Sequence, residues 1–220
     1  DVTTGIENTL IGGLAGDALT NADYNVAVGS QALSSDTLGS GNTAIGRAAL
    51  FSQNFTSATT SYNTGVGYGA GSAVTTGIHN TLIGGLAGDA LTDADSNTAI
   101  GYNSLTTNTL GSAVTAVGSG ALALHNVTSA AQTFNTAVGY DAGNQVTTGI
   151  YNTLIGGLAG DALTDADYNV AVGAQALTSD TLGSRSVAIG NNALLTQNFT
   201  SATNAYNTAV GFAAGETLTI

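Results

Sequence analysis

The sequence contains no cysteine, proline, methionine or tryptophan, and its only basic residues are Arg47 and Arg185. Without cysteine there is neither a disulfide framework nor a thiolate metal site. Two basic side chains cannot neutralise a phosphate backbone, which argues against nucleic-acid binding. The same lack argues against attraction to an anionic membrane surface. No apolar run reaches the roughly 18 residues that a transmembrane helix requires, so no membrane insertion is expected. Charge is scarce altogether: 7% of the 220 residues are charged, against about 25% in an ordinary globular domain. The formal net charge is -12. Disorder does not follow, because 43% of the residues are hydrophobic and recur on a pattern. No secretory leader is visible, and a chain that starts at Asp1 reads as a mature form or a fragment.

What the sequence does have is repetition. The segment NTLIGGLAGDALT occurs at 8–20, 80–92 and 152–164, at offsets of 72 residues. The chain reads as one repeat domain, 1–220, with units at 5–76, 77–148 and 149–220. Within each unit a shorter motif, N-[TV]-[AL]-[VI]-G-x-x-[AS]-[LG], recurs four times. Its twelve copies start at Asn8, Asn25, Asn42, Asn63, Asn80, Asn97, Val114, Asn135, Asn152, Asn169, Ser186 and Asn207. The steps are 17 residues, with one step of 21 per unit. Val114 and Ser186 replace the leading Asn, and Gly65 replaces the small third residue.

A helical repeat needs about 33 residues or more, and a glycine in every copy opposes helix by roughly 1 kcal/mol each. The motif therefore predicts a short strand closed by a glycine turn. A second short strand is expected near the A-L and T-L-G segments. Stacked copies make an all-β parallel solenoid, or β-roll, of about twelve rungs, roughly 58 Å long at the usual strand spacing. The fourth position is Val or Ile in every copy (Ile11, Val28, Ile45, through Val210) and is expected to line the core. The third position is small and apolar, so both strand faces are apolar and one needs a partner, most simply an identical chain. The leading Asn column reads as structural, capping a corner or forming an amide ladder.

Ser186-Val187-Ala188-Ile189-Gly190-Asn191-Asn192-Ala193-Leu194, with Asn42–Gly46 and Asn169–Gly173, resembles the SVAIG head repeat of trimeric autotransporter adhesins. The segment 135–143, NTAVGYDAG, is similar to repeats of phage tail fibres and related bacterial surface fibres. The resemblance spans essentially the whole chain. It implies a left-handed β-roll, a homotrimer, and a place on a cell or virion surface.

Eight of the fourteen acids fall at one place per unit: Asp17 and Asp23; Asp89, Asp93 and Asp95; Asp161, Asp165 and Asp167. Followed by Asn25, Asn97 and Asn169, they resemble the start of a calcium loop, where a hard cation takes six to eight oxygens. They lack an EF-hand's glycine and bidentate Glu, and a solvated acidic turn is the competing reading. Three N-x-T sequons, at Asn54, Asn126 and Asn198, lie in the long steps and are expected on a protruding loop open to glycosylation. Tyr24, Tyr62, Ser96, Tyr168 and Tyr206 precede the motif residue and suggest a corner column available for stacking. His79 and His125 do not share a repeat position, and no serine elbow or paired-acid signature appears, so no enzyme is expected. The I-G-G-L-A-G stretches lack the Lys of a phosphate loop.

Both ends fall at the same V-T-T-G-I-type junction, without an atypical capping repeat. Solenoids normally need caps for solubility. The chain is therefore either cut from a longer array or stacks head to tail as an open filament. The function expected is an extracellular structural fibre, forming a filament, shaft or head by self-association. The alternatives are a homotrimeric adhesin or tail-fibre module that meets a surface receptor or glycan, and, through the Thr column, an ice-binding face.

Overall fold

The computed structural model describes residues 2–219; Asp1 and the Ile220 of the closing junction lie outside the described residues. Twelve three-residue strands, from Thr9–Ile11 to Thr208–Val210, form one parallel sheet in chain order. Each copy of the motif pairs with the next, position on position. Val26 lies beside Thr43 across a 17-residue step, and Thr43 beside Thr64 across a 21-residue step. A chain that re-enters one parallel sheet at every step is a coil, and the fold is a β-solenoid. The four extra residues of the long step leave the register intact. No helix occurs among the described residues.

Among the described residues the second strand is present only beside the long steps. Gly39–Ser40 pairs with Thr59–Thr60, Gly111–Ser112 with Ala131–Gln132, and Gly183–Ser184 with Thr203–Asn204. Each T-L-G segment thus ends in a strand, whereas the A-L segments are turns.

The structure reverses the expected faces of the main strands. The third position points inward: Ala27, Ala44, Ala99, Ala116 and Ala137 have no exposed surface. The fourth position points outward, and even the mid-sheet Ile45, Ile83, Val138, Ile155 and Ile189 are 36–39% exposed. The reason is size. A 17-residue coil encloses a narrow interior, so the strand wall can offer only small groups where the opposite wall brings in leucine. Where the third residue is Ala (Ala99, Ala116, Ala171), the residue six positions later is a fully buried Leu (Leu105, Leu122, Leu177). Where the third residue is Leu82 or Leu154, that place is Gly88 or Gly160. A Cβ there would lie 2.7 Å from a leucine methyl. In these rungs the two positions trade volume, and in the Gly65–Gly71 and Ala137–Gly143 rungs, small at both, Leu82 and Leu154 of the next rung reach the glycine, as close packing requires.

The inward leucines also turn the chain. Leu105 and Leu122 have φ of 53° and 48°, a conformation costing roughly 1–2 kcal/mol for an L-residue. Burying each side chain returns about 1.5–3 kcal/mol, so packing wins over local preference.

Candidate functional sites

The motif asparagines form a ladder inside the wall. Asn80 Oδ1 accepts from the backbone N–H of Asn97 at 3.0 Å, and Asn80 Nδ2 donates to the carbonyl of Ala94 at 2.8 Å. Asn25, Asn97 and Asn169 repeat this pair of bonds and are buried. Their side-chain oxygens accept from neighbouring rungs, away from solvent.

The acids of the expected calcium set lie on the surface, and each described bond reaches one rung away. Asp23, Asp95 and Asp167 accept the N–H of Ile6, Ile78 and Ile150, each at 2.8 Å. Asp93 and Asp165 accept the hydroxyls of Thr76 and Thr148, at 2.6 and 2.5 Å. Asp89 accepts from Thr106 at 2.5 Å, and Asp161 from Thr178. Burial raises the carboxyl pKa of Asp161, the Thr178 bond opposes it, and the negative Asp141 adds to the rise. Asp17 is exposed. Among the described residues, no three His, Asp or Glu side chains converge as a metal site would need. Rung-to-rung hydrogen bonding is thus a role that seven of the eight acids share.

The corner column is more extensive than its tyrosines suggested. His79, Phe134, Tyr151 and Arg185 also precede a motif residue and belong to it. Tyr62 stacks on His79 with centroids 6.0 Å apart, Phe134 on Tyr151 at 5.3 Å, and Tyr151 on Tyr168 at 4.9 Å. The Arg185 guanidinium lies over the Tyr168 ring, 4.5 Å from its centroid. Ser96 and Ala113 interrupt the column in the middle unit. Tyr151 touches rings on both sides, each such pair being worth about 0.5–1.5 kcal/mol. Tyr151→Ala is expected to cost about 1–2 kcal/mol in urea unfolding, with loss of near-ultraviolet circular dichroism.

A second column carries polar groups into the core. At the eleventh residue after each motif start, Leu or Val alternates with Asp36 and Gln53, Asn108 and His125, and Asp180 and Gln197. All six polar residues are fully buried. Gln53 Nε2 donates to Asp36 Oδ2, and Gln197 Nε2 to Asp180 Oδ2, each at 2.6 Å. Burial raises the Asp36 pKa, against the bonds from Gln53 and from backbone N–H groups. In the middle unit Asn108 turns back onto Gly111. His125 Nε2 meets Thr133 Oγ1 at 3.2 Å, and His125 Nδ1 has no partner. Burial lowers the His125 pKa to about 4. The sequence signal for this column was a polar residue at an otherwise apolar repeat position.

The sequon asparagines sit on the coil rather than at loop tips. The backbone N–H groups of Asn54 and Asn126 still donate to Thr75 and Thr147 of the following rung, so the inserted residues come after them. The side-chain oxygens of Asn54, Asn126 and Asn198 accept from Thr37, Thr109 and Thr181 of the preceding rung.

Comparison with protein-family models, curated proteins and solved structures gave no match.

Proposed function

We propose that the chain is a structural β-solenoid fibre module, displayed outside the cell, whose outward sheet face packs against like solenoids. One observation carries this reading: the outward face is uncharged over all twelve strands, in a chain of net charge -12. It presents an Ile/Val column beside Thr or Val, edged by the exposed rings of Tyr68, Tyr102, Tyr140 and Phe212. An uncharged face with an unbroken exposed Ile/Val column supports an interaction surface. Another solenoid of the same rise would match its period rung for rung.

Sedimentation equilibrium with negative-stain microscopy tests the reading. Closed rods or long filaments are expected. The double variant Ile83→Asp, Val138→Asp is expected to release monomers that keep the native far-ultraviolet spectrum. A wild-type chain that stays monomeric at all concentrations overturns the proposal. Repeating the thermal melt with millimolar calcium decides the role of the Asp columns: a raised melting temperature assigns them a cation, and no shift leaves them as hydrogen-bond acceptors. Because the Thr column shares the outward face, ice binding is a second reading, and thermal hysteresis tests it.

A further inference from the structure

The three units carry different side chains at one ledge beside the corner column. In the third unit the ledge positions are Tyr168, Arg185 and Asn204; in the middle unit the equivalents are Ser96, Ala113 and Gln132; in the first they are Tyr24, Gly41 and Thr60. In the third unit a guanidinium occupies the ledge. Arg185 lies over the Tyr168 ring and donates from Nε to Asn204 Oδ1 at 3.0 Å. In the first unit the Tyr62 ring leans across, with its edge carbons 3.1–3.2 Å from where a Cβ on Gly41 would stand. In the middle unit Ala113 carries no guanidinium, and Phe134, the equivalent of Tyr62, is not among the residues that line the ledge. A groove of about 350 Å³ is open there, with Asp93, Asp95, Ser96, Ala113 and Gln132 in its walls.

We infer that this groove binds the guanidinium of an arginine side chain presented by another protein. The chain itself shows what the ledge accepts, since the groove is the place of Arg185 with the arginine shortened to Ala113. The repeat equivalent of Asn204, the acceptor in the third unit, is Gln132, whose side chain also carries an amide carbonyl and which lines the groove. Asp93 and Asp95 each spend one oxygen on the preceding rung, on Thr76 and on Ile78. Their charge remains at the groove wall, with no basic residue at the ledge to neutralise it. A planar guanidinium donates in two directions at once, to a carboxylate and an amide carbonyl, which an ammonium does less well. This inference stands whether or not the outward sheet face assembles.

Amide NMR of the whole chain titrated with N-acetyl-arginine amide, and separately with N-acetyl-lysine amide, tests it. The arginine probe is expected to shift Ser96, Ala113 and Gln132 saturably, and the lysine probe to bind more weakly. Ala113→Arg, which supplies the guanidinium in cis, is expected to abolish those shifts. Gln132→Ala, an exposed change, is expected to weaken them without altering the fold. Arg185→Ala is expected to open the equivalent ledge and add a second set of shifts around Tyr168 and Asn204. Absence of any saturable shift overturns the inference. So does a shift pattern spread evenly over Asp17, Asp23 and Asp165, which would be attraction to net charge alone, or shifts that persist unchanged in Ala113→Arg.

Discussion

Replacing Gly118 by alanine is expected to destabilise the solenoid by about 4 kcal/mol, the combined scale of backbone strain and overpacking. Gly118 follows the strand Thr115–Val117, at φ 134°, a region L-residues rarely enter. A Cβ there would stand 2.2 Å from the carbonyl oxygen of Gly139 and 2.6 Å from its carbon. Those atoms belong to the next rung's backbone, so relief requires moving the rung. The stack transmits the damage, because each rung is held by its neighbours and stability is a sum of rung and interface terms. Urea unfolding of Gly118→Ala is therefore expected to lose cooperativity, with amide exchange faster on both sides of the lesion. Gly157→Ala is the matched control. The nearest atom to a Cβ at Gly157 is the Tyr140 carbonyl oxygen at 4.0 Å, and Gly157 is not a left-handed residue. It is expected to change stability by no more than about 0.5 kcal/mol. Equal effects from the two would show that the glycine column is not held by the close approach of rungs.

The period and the strand position were legible in the sequence because both follow from chain geometry that composition cannot hide. The direction of the strand faces was not. Alternation assigns a core face only when the two faces differ in polarity, and here Ala27 and Val28 are both apolar. Size decides instead. The signal lay in compensation between positions, Ala99 with Leu105 but Leu82 with Gly88, which becomes readable only once the two are known to meet across the coil. The Asn ladder was legible because one residue type at ten of twelve corners has few structural alternatives. The rung-to-rung bonds of the acids were not legible. Thr76 and Thr148 stand 17 residues before Asp93 and Asp165 and donate to them, and in the first unit Thr4 makes the same bond to Asn21. An amide serves in that bond as well as a carboxylate. The groove beside Ala113 was invisible, since it depends on what fills a ledge in space rather than on a motif.

The middle unit is expected to fail first in acid. His125 has a folded-state pKa of about 4 against an ordinary 6.5, because burial disfavours the imidazolium and only the backbone of Thr147 opposes the shift. The imidazolium carries an N–H on both ring nitrogens, and Nδ1 has no hydrogen-bond partner in the core. Between these two pKa values the unfolded chain binds more protons than the folded one, so stability rises with pH through the window. The contribution is fully present above pH 6.5 and is lost as the pH falls towards 4. At 1.36 kcal/mol per unit the loss is about 3 kcal/mol. Asp36 has the opposite sign. Burial raises its pKa, so its contribution is present below its unfolded value and lost as the pH rises through the folded one. Acid therefore relieves the first unit while it loads the middle one. The double variant Asn108→Asp, His125→Gln copies the Asp36–Gln53 pair into the middle unit. Urea unfolding between pH 7 and pH 4.5 is expected to show a steep stability loss in the wild type and a much flatter one in the variant, with His125→Gln alone also flattened. An unchanged slope would place the acid sensitivity elsewhere. A flattened slope would mean that one buried ring, at a position the other two units fill with glutamine, sets the pH range over which this solenoid stays wound.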